Sequence, residues 1–424
     1  MILYSFYNLY KLRNNQWLKL SELEEIQRRK LKRIIKHAYE NVPYYRKLFD
    51  SVGVKPEDIR TVEDLAKIPI TTRKQIERLR RDEIIAKGIN LAKCEKRTTT
   101  GSSAMPLDVF FTKKDLSFLD MTWARVFLEN GLRLRDKRAS IKYHLPSKRW
   151  VQYLGIWRRE FISTSDNSDD QIQSLKRINP DVLTGMPFNL CFLATAMKTK
   201  GIKGINPRLV FSMGALLDRE SRKLLESVFR AKVFDYYGTE ELGCIAWECG
   251  EHTGYHINMD TVVVEFVKDG KPVKSGERGK LICTGLHSYA MPFIKYEVGD
   301  VAIFINKQCP CGRGLALMKS IEGRTEDFIV NSKGKSHSPS VIIINVRVIR
   351  GVAQFKIIQE SRGELAVQIV KGRDFSSETV HQVEQKLRGI LGNEMHIKIE
   401  IVDEIPKDPS GKIRSVISKV PLEL

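Results

Sequence analysis

Apolar and polar positions alternate along this chain with two different periods, and the changes of period mark its elements. From Ser21 to Tyr39 the apolar residues Leu23, Ile26, Leu31, Ile34, Ile35 and Ala38 recur at helical spacing, predicting an amphipathic helix. Ser21 and Glu24 form a capping-box pattern at its start, and Pro43 closes it. Met1–Tyr10 (MILYSFYNLY) is apolar and aromatic, with no basic region before it and no small-residue cleavage site after it. It reads as a helix packed on the body rather than as a signal peptide. A second helix start is expected at Thr72, with Gln75 three residues on, after the turn at Pro69.

The middle of the chain alternates short β-rich runs with helical ones: Leu209–Met213, then Arg219–Phe229, then Lys232–Tyr236. That order predicts an α/β layered core. Thr261–Val267 and Lys280–Thr284 read as strands joined across Asp269-Gly270, an added antiparallel or barrel-like piece. After Gly323 the pattern turns to strands at 354–359, 365–371 and 396–402 around a helix at 376–391. The expected organisation is a large N-terminal domain over residues 1–323 and a small α+β domain over 324–424.

Composition narrows the classes. At 424 residues the chain can bury a large core, and no run approaches the roughly 20 apolar residues that a membrane-spanning helix needs. The net charge of +20 fits nucleic acid, an anionic membrane surface or anionic small molecules. Its densest stretch, Arg28–Lys36 (RRKLKRIIK), falls mostly on the polar face of the first amphipathic helix. No stacking aromatics interleave the basic residues, so a nucleic-acid partner is not expected. A peripheral role at a membrane surface is the alternative reading of the N-terminal segment. Seven cysteines, an odd number without a secretion signal, predict a reducing, cytoplasmic setting.

Five short motifs carry candidate chemistry. Thr98–Pro106 (TTTGSSAMP) can offer backbone N–H groups and hydroxyls to a polyphosphate, although it lacks the Gly-Lys-Ser/Thr ending of a P-loop. Asp235–Glu240 (DYYGTE) follows a predicted strand, where open α/β sheets place ligands. Tyr296–Asp300 (YEVGD) offers a carboxylate to ribose hydroxyls, and Gly323–Asp327 (GRTED) a pivot with Arg324. Pro406–Arg414 (PKDPSGKIR) presents Lys412 on a glycine turn. Each alone is an ordinary turn.

In this order the five motifs resemble those of the acyl-adenylate-forming superfamily. The phrases VPYYR (42–46), IPITTRKQI (68–76), AMPFIKYEVGD (290–300) and CPCGRG (309–314) are similar to the phenylacetate–CoA ligase family. The opening YNLYKLRNNQWL is similar to a branch found near capsular-polysaccharide genes, implying an association with capsule biosynthesis.

The resemblance implies that an acid attacks the α-phosphate of ATP to give an acyl-AMP, which a thiol, coenzyme A above all, then converts to a thioester. Thr99, Thr100, Gly101, Ser102 and Ser103 would cradle the β- and γ-phosphates. Gly214 and Ala215, within Ser212–Ala215, would lie along adenine with Tyr237, while Gly238 and Thr239 approach the α-phosphate and Glu240 holds Mg²⁺. Asp300 would bind ribose with help from Arg324, and Lys412 would bridge the carboxylate and the α-phosphate. The small C-terminal domain would rotate between the half-reactions about Glu326.

Ala104 and Leu107 depart from the family's phosphate loop, which reshapes it and removes one phosphate contact. The acid pocket is expected around 142–150 and 184–188. The same motifs serve carrier-protein, amine and alcohol or polysaccharide acceptors. A retired, basic nucleic-acid- or membrane-binding relative is the remaining reading, against which Lys412 and Glu240 speak.

Cys249 and His252, with Cys309 and Cys311, form two close pairs that match the ligands of a closed tetrahedral zinc site, a set similar to one in some relatives. His256 competes as the fourth ligand.

Overall fold

The computed structural model describes residues 1–99, 106–142, 155, 157–406 and 414–422, and all but the side chains of Ser340 and Ile344 within them. Among these residues one mixed sheet of thirteen strands forms the body. Five of its strands are parallel: Arg159–Ser163, Arg138–Lys142, Val182–Gly185, Leu209–Met213 and Lys232–Thr239, in that spatial order.

Val182–Gly185 is buried at every position and Leu209–Met213 at all but its last. Such strands read as continuous apolar runs because helices cover both faces. The helices Ser168–Ile178, Pro187–Thr199 and Arg219–Phe229 pack one face around Leu175, Leu193, Leu225 and Phe229. Lys113–Glu129 covers the other, where Phe127 meets Phe211 and Tyr236 edge-on.

The sheet continues past Lys232–Thr239 through antiparallel strands Gly243–Glu248, Tyr255–Ile257, Leu317–Arg324, Tyr296–Ile305, Arg278–Gly285 and Val262–Lys268. The expected added piece is antiparallel rather than barrel-like, and it extends the main sheet. Asp269 and Gly270 both take positive φ (49° and 73°), as a two-residue hairpin turn requires, and lead into Lys271–Pro272.

Helix Leu20–Asn41 buries Leu23, Leu31, Ile34, Ile35 and Ala38 of the predicted stripe and leaves its sixth member, Ile26, half-buried. Its cap differs from expectation. Lys19 is the N-cap, and Glu22 Oε2 accepts its backbone N–H at 2.9 Å, so Ser21 and Glu24 already lie inside the helix. Thr72 does cap its helix reciprocally with Gln75. The first helix, Ile2–Asn15, packs Leu9 and Leu12 on the body.

A buried ion pair ties this N-terminal region down. Arg125 grips Asp260 through two 3.0 Å bonds, and both side chains are fully buried. Arg125 also donates to the Leu12 carbonyl, while Asn15 donates to Asp260.

The C-terminal residues build a separate four-stranded sheet in the order His396–Val402, Glu364–Lys371, Val352–Ser361, Val416–Ser418. Helices Pro339–Arg347 and Ser377–Leu391 cover it. Strict alternation buries Phe355 and Ile357, then Leu365, Val367 and Ile369, in a cluster of their own. Gln359 is buried in the same stripe, where its amide exchanges two hydrogen bonds with the Val330 backbone.

Candidate active site

The parallel strands end together at Gly185, Met213 and Thr239, the edge at which an open α/β sheet receives ligands. Three of the five motifs meet here. Tyr237 donates to Asp300 Oδ2 at 2.7 Å, and burial followed by that carboxylate raises the phenol well above its ordinary pKa. Asp300 faces Arg324 in register across the two antiparallel strands. Burial alone would lower the Arg324 pKa, but Asp300, Glu326 and Asp327 outweigh it and hold the guanidinium charged.

Gly238 sits where the hairpin doubles back. A Cβ there would collide with the Gly243 carbonyl and with Trp123, so only glycine lets the strands close at this point. Thr239 Oγ1 accepts the Leu242 backbone N–H at 3.2 Å, and Glu240 stands half-exposed with Arg97 3.7 Å from its carboxylate. Gly214 takes φ +77° at the end of its strand, with Ala215 exposed beside it.

Behind this edge lies a buried polar brace. Arg222 holds Glu248 bidentately at 2.7 and 2.6 Å, Glu248 accepts the Asp235 backbone N–H, and Tyr255 donates to Asp235. Burial, and then the Glu248 charge, push Asp235 up to about 7.

Of the residues expected to cradle the phosphates, Thr99 to Ser103, Thr99 alone is described. It is buried, its Oγ1 accepts from Arg73 (2.9 Å) and from the Leu107 backbone (3.0 Å), and Leu107 is buried beside it. Thr100, Gly101, Ser102, Ser103 and Ala104 lie outside the described residues, as does Lys412. Arg414, two residues past Lys412, reaches Asp327 and comes within 3.5 Å of Glu326. The segment after the lysine loop thus rests on the expected pivot. Arg347 of the C-terminal unit also bonds Asp218 (2.7 Å) and Ser221 (2.6 Å) of the body.

The metal-ligand set needs a correction. Cys249, Cys309 and Cys311 converge with His256, not with His252, and one donor atom from each lies within 4.8 Å of the others. Cys249 and Cys309 sulfurs are 3.6 Å apart, and Cys311 Sγ is 3.4 Å from His256 Nε2. A zinc tetrahedron with metal–sulfur bonds of about 2.3 Å has sulfur–sulfur edges of about 3.8 Å and sulfur–nitrogen edges of about 3.5 Å. The donor set fits that metal.

The physical reason for the exchange is the hairpin. His252 sits on its tip with φ +48°, stacks on Phe234 and turns Nδ1 toward Glu248 and Arg222. His256 belongs to the return strand and faces the cysteines. Burial pushes the Cys249 thiol up to about 12; at Cys311 the Arg313 N–H groups outweigh burial and lower it.

Sequence reading missed three neighbours of the site. Arg97 and Trp123 carried no motif, and Arg138 sat four residues before the expected acid pocket. Trp123 and Arg138 lie on a helix and a strand read for their apolar pattern, and Arg97 lies on the charged strand Glu95–Thr98.

Comparison with known proteins adds the following. Residues 329–419 match the CapK C-terminal domain family. The chain is 24% identical to the phenylacetate–coenzyme A ligase of Thermus thermophilus, over 93% of this chain and 96% of that one. It is 23% identical to Protein CapK of Staphylococcus aureus, over 94% and 90%. In architecture it is similar to 2-hydroxyisobutyryl-CoA ligase in its postadenylation state, with a TM-score of 0.80 and 18% identity, covering 96% of this chain and 91% of that one.

Proposed function

We propose that this chain, a homologue of the phenylacetate–coenzyme A ligases with a CapK-type C-terminal domain, activates a carboxylic acid with ATP and passes the acyl group to coenzyme A. The observation that carries the reading is the convergence of Tyr237, Asp300 and Arg324 at the strand ends, with Arg414 pinned beside them. ATP would lie with its ribose on Asp300 and Arg324, its α-phosphate near Thr239 and its Mg²⁺ on Glu240. Gly214 and Ala215 would lie along the adenine.

Lys412 would neutralise the charge that develops as the carboxylate attacks. Glu326 and Asp327, holding Arg414, would be the pivot that later withdraws it. Residues 1–323 would then form the nucleotide-binding domain and 324–424 the moving one. ATP–pyrophosphate exchange over a panel of aromatic, fatty and hydroxy acids tests this. Exchange with no acid in the panel, and no AMP release with any thiol, would sink it.

Zinc at Cys249, His256, Cys309 and Cys311 would be structural. It would join the hairpin behind the YGTE motif to the loop before GRTED, and all four positions of the tetrahedron are protein ligands. Metal analysis of purified protein should find near-stoichiometric zinc, lost in a Cys309→Ser, Cys311→Ser variant.

The N-terminal helix favours one partner besides the substrates. Ile2, Leu3, Phe6, Tyr7 and Tyr10 are all more than half exposed along it. Arg33 and Tyr4 both neighbour Tyr289, and Arg28, Arg29, Lys32 and Arg33 line one shallow depression with Glu25, which pairs with Arg28. An apolar, aromatic helix beside a cationic face suits the surface of an anionic bilayer. Among the described residues no helix is long and apolar enough to cross one. Sedimentation with phosphatidylglycerol vesicles should carry the protein down, and a Leu3→Glu, Phe6→Glu variant should stay in solution.

A further inference from the structure

The sheet carries a second group of cations that the adenylation chemistry does not use. Strand Arg138–Lys142 lies between Arg159–Ser163 and Val182–Gly185, with Arg138 in register with Arg159 and Ser140 with Thr184. The two-residue period sends Ala139 and Ile141 into the apolar cluster under the helices, and Arg138, Ser140 and Lys142 to the opposite face. That face looks toward Phe127 and Tyr236. The Arg138 guanidinium lies 4.7 Å from the Phe127 ring, and Arg159 Nε donates to Ser140 Oγ at 3.0 Å. Ser140 in turn shares a 2.7 Å bond with Thr184.

Lys142 is at the carboxyl end of its strand, close enough to Glu240 and Arg97 to feel both charges. The cluster therefore runs from beneath the sheet edge up to the expected magnesium carboxylate.

These cations are costly where they stand. Burial, then the Arg159 charge, lower Arg138 to about 9 and Lys142 to about 8. Among the described residues other buried or half-buried arginines have a carboxylate: Arg125 has Asp260, Arg222 has Glu248 and Arg313 has Glu129. Among the described residues no carboxylate lies within ion-pair distance of Arg138 or Lys142. The neighbouring sequence 143–154 (YHLPSKRWVQYL) contains no acidic residue either. Both side chains are half-buried, and a partly desolvated charge without a nearby carboxylate is costly, so a cluster of them fits an anion that arrives and leaves.

On the ligase reading the nucleotide's phosphates would already have the Thr99–Ser103 loop, Thr239 and Glu240 with its metal. The carboxylate undergoing activation must sit at the α-phosphate. We propose that the acid carries a second anionic group, such as a carboxylate, phosphate or sulfate, which Arg138 and Lys142 receive. This rests on the ligase reading and names the substrate class of its acid pocket.

Matched acids test it: butyrate against succinate, hexanoate against adipate, and benzoate against terephthalate, with phosphorylated and sulfated hydroxy acids beside their parents. At least one dianion should exceed its monoanionic partner by about tenfold or more in kcat/KM for pyrophosphate exchange. Lys142→Met and Arg138→Met should collapse that ratio toward one by raising KM for the dianion, while KM for ATP stays put. Preference for the monoanion in every pair, with the enzyme active, overturns the proposal and leaves the ligase reading standing. So does a rise in KM for ATP in either variant, which would give the cations to the nucleotide. If no acid is activated, calorimetric titration of the same dianions decides. Binding lost in Lys142→Met keeps the anion site while the ligase reading fails, and absence of binding removes both.

Discussion

Arg125 and Phe127 stand two residues apart on the helix Lys113–Glu129 and look into two cation sites of opposite character, one fully buried and one half-buried. On one side Arg125 and Asp260 neutralise each other with two bonds, helped by Asn15 and the Leu12 carbonyl. Burial raises the Asp260 pKa, but Arg125 and Lys30 outweigh it, and the carboxyl stays below its usual range. On the other side Arg138 has a ring beneath it and cations around it. The first site is complete and holds the N-terminal helices to the sheet. At the second, no carboxylate among the described residues lies within ion-pair distance, and the proposed second anion would complete it. The difference separates charge that serves the fold from charge that serves a ligand.

The largest effect should come from breaking the complete site. Asp260→Ala leaves Arg125 buried with its main partner gone, which costs about 3–5 kcal/mol. Urea unfolding should show that loss, along with early release of the N-terminal helix to protease. Arg138→Met, by contrast, removes a cation with no carboxylate partner among the described residues and should leave stability unchanged or raise it. Equal losses in the two variants would erase the distinction.

Next in size is the lysine expected to act on the α-phosphate. Lys412→Ala should lower acyl-AMP formation by roughly 10²–10³-fold, the scale of losing one transition-state charge contact. Conversion of supplied acyl-AMP to thioester should persist, and the unfolding midpoint should stay where it was. A fall in stability instead would move Lys412 into the class of Arg125.

The same contrast explains what the sequence disclosed. Strands with one wet face, such as Val352–Ser361 and Glu364–Lys371, were legible from alternation, and Leu209–Met213 and Arg219–Phe229 fell where their patterns put them. The cap of Leu20–Asn41 was misread because Lys19 has no capping side chain of the usual kind, while Ser21 has one. Spacing alone favoured His252, since it does not say which way a hairpin tip turns. The motif residues Tyr237, Asp300 and Arg324 could be picked out by order. The Arg138–Lys142 cluster could not, because strand register brings Arg138 beside Arg159 from a distant part of the sequence.

The smallest effect is the most diagnostic. Lys142 has a folded pKa of about 8, below the 10.5 of an unperturbed lysine. Between those values the unfolded chain binds more protons than the folded one, so stability should rise with pH from about 8 to 10.5. Binding of a second anion needs the protonated ammonium, so affinity for it should fall over the same range, toward tenfold per pH unit above the folded pKa. Stability and affinity would then move in opposite directions. Melting of the wild type from pH 7 to 10, with and without a preferred dianion, reads both at once. The stabilisation due to ligand should shrink as the unliganded midpoint climbs, against the Lys142→Met background, which corrects for every other titrating group. At Arg125 no such opposition can arise, because its counter-ion Asp260 is built in and stays charged throughout. If the ligand's stabilisation kept its size across this range, Lys142 would not be the ammonium that receives the anion, and the two cation sites would differ only in burial.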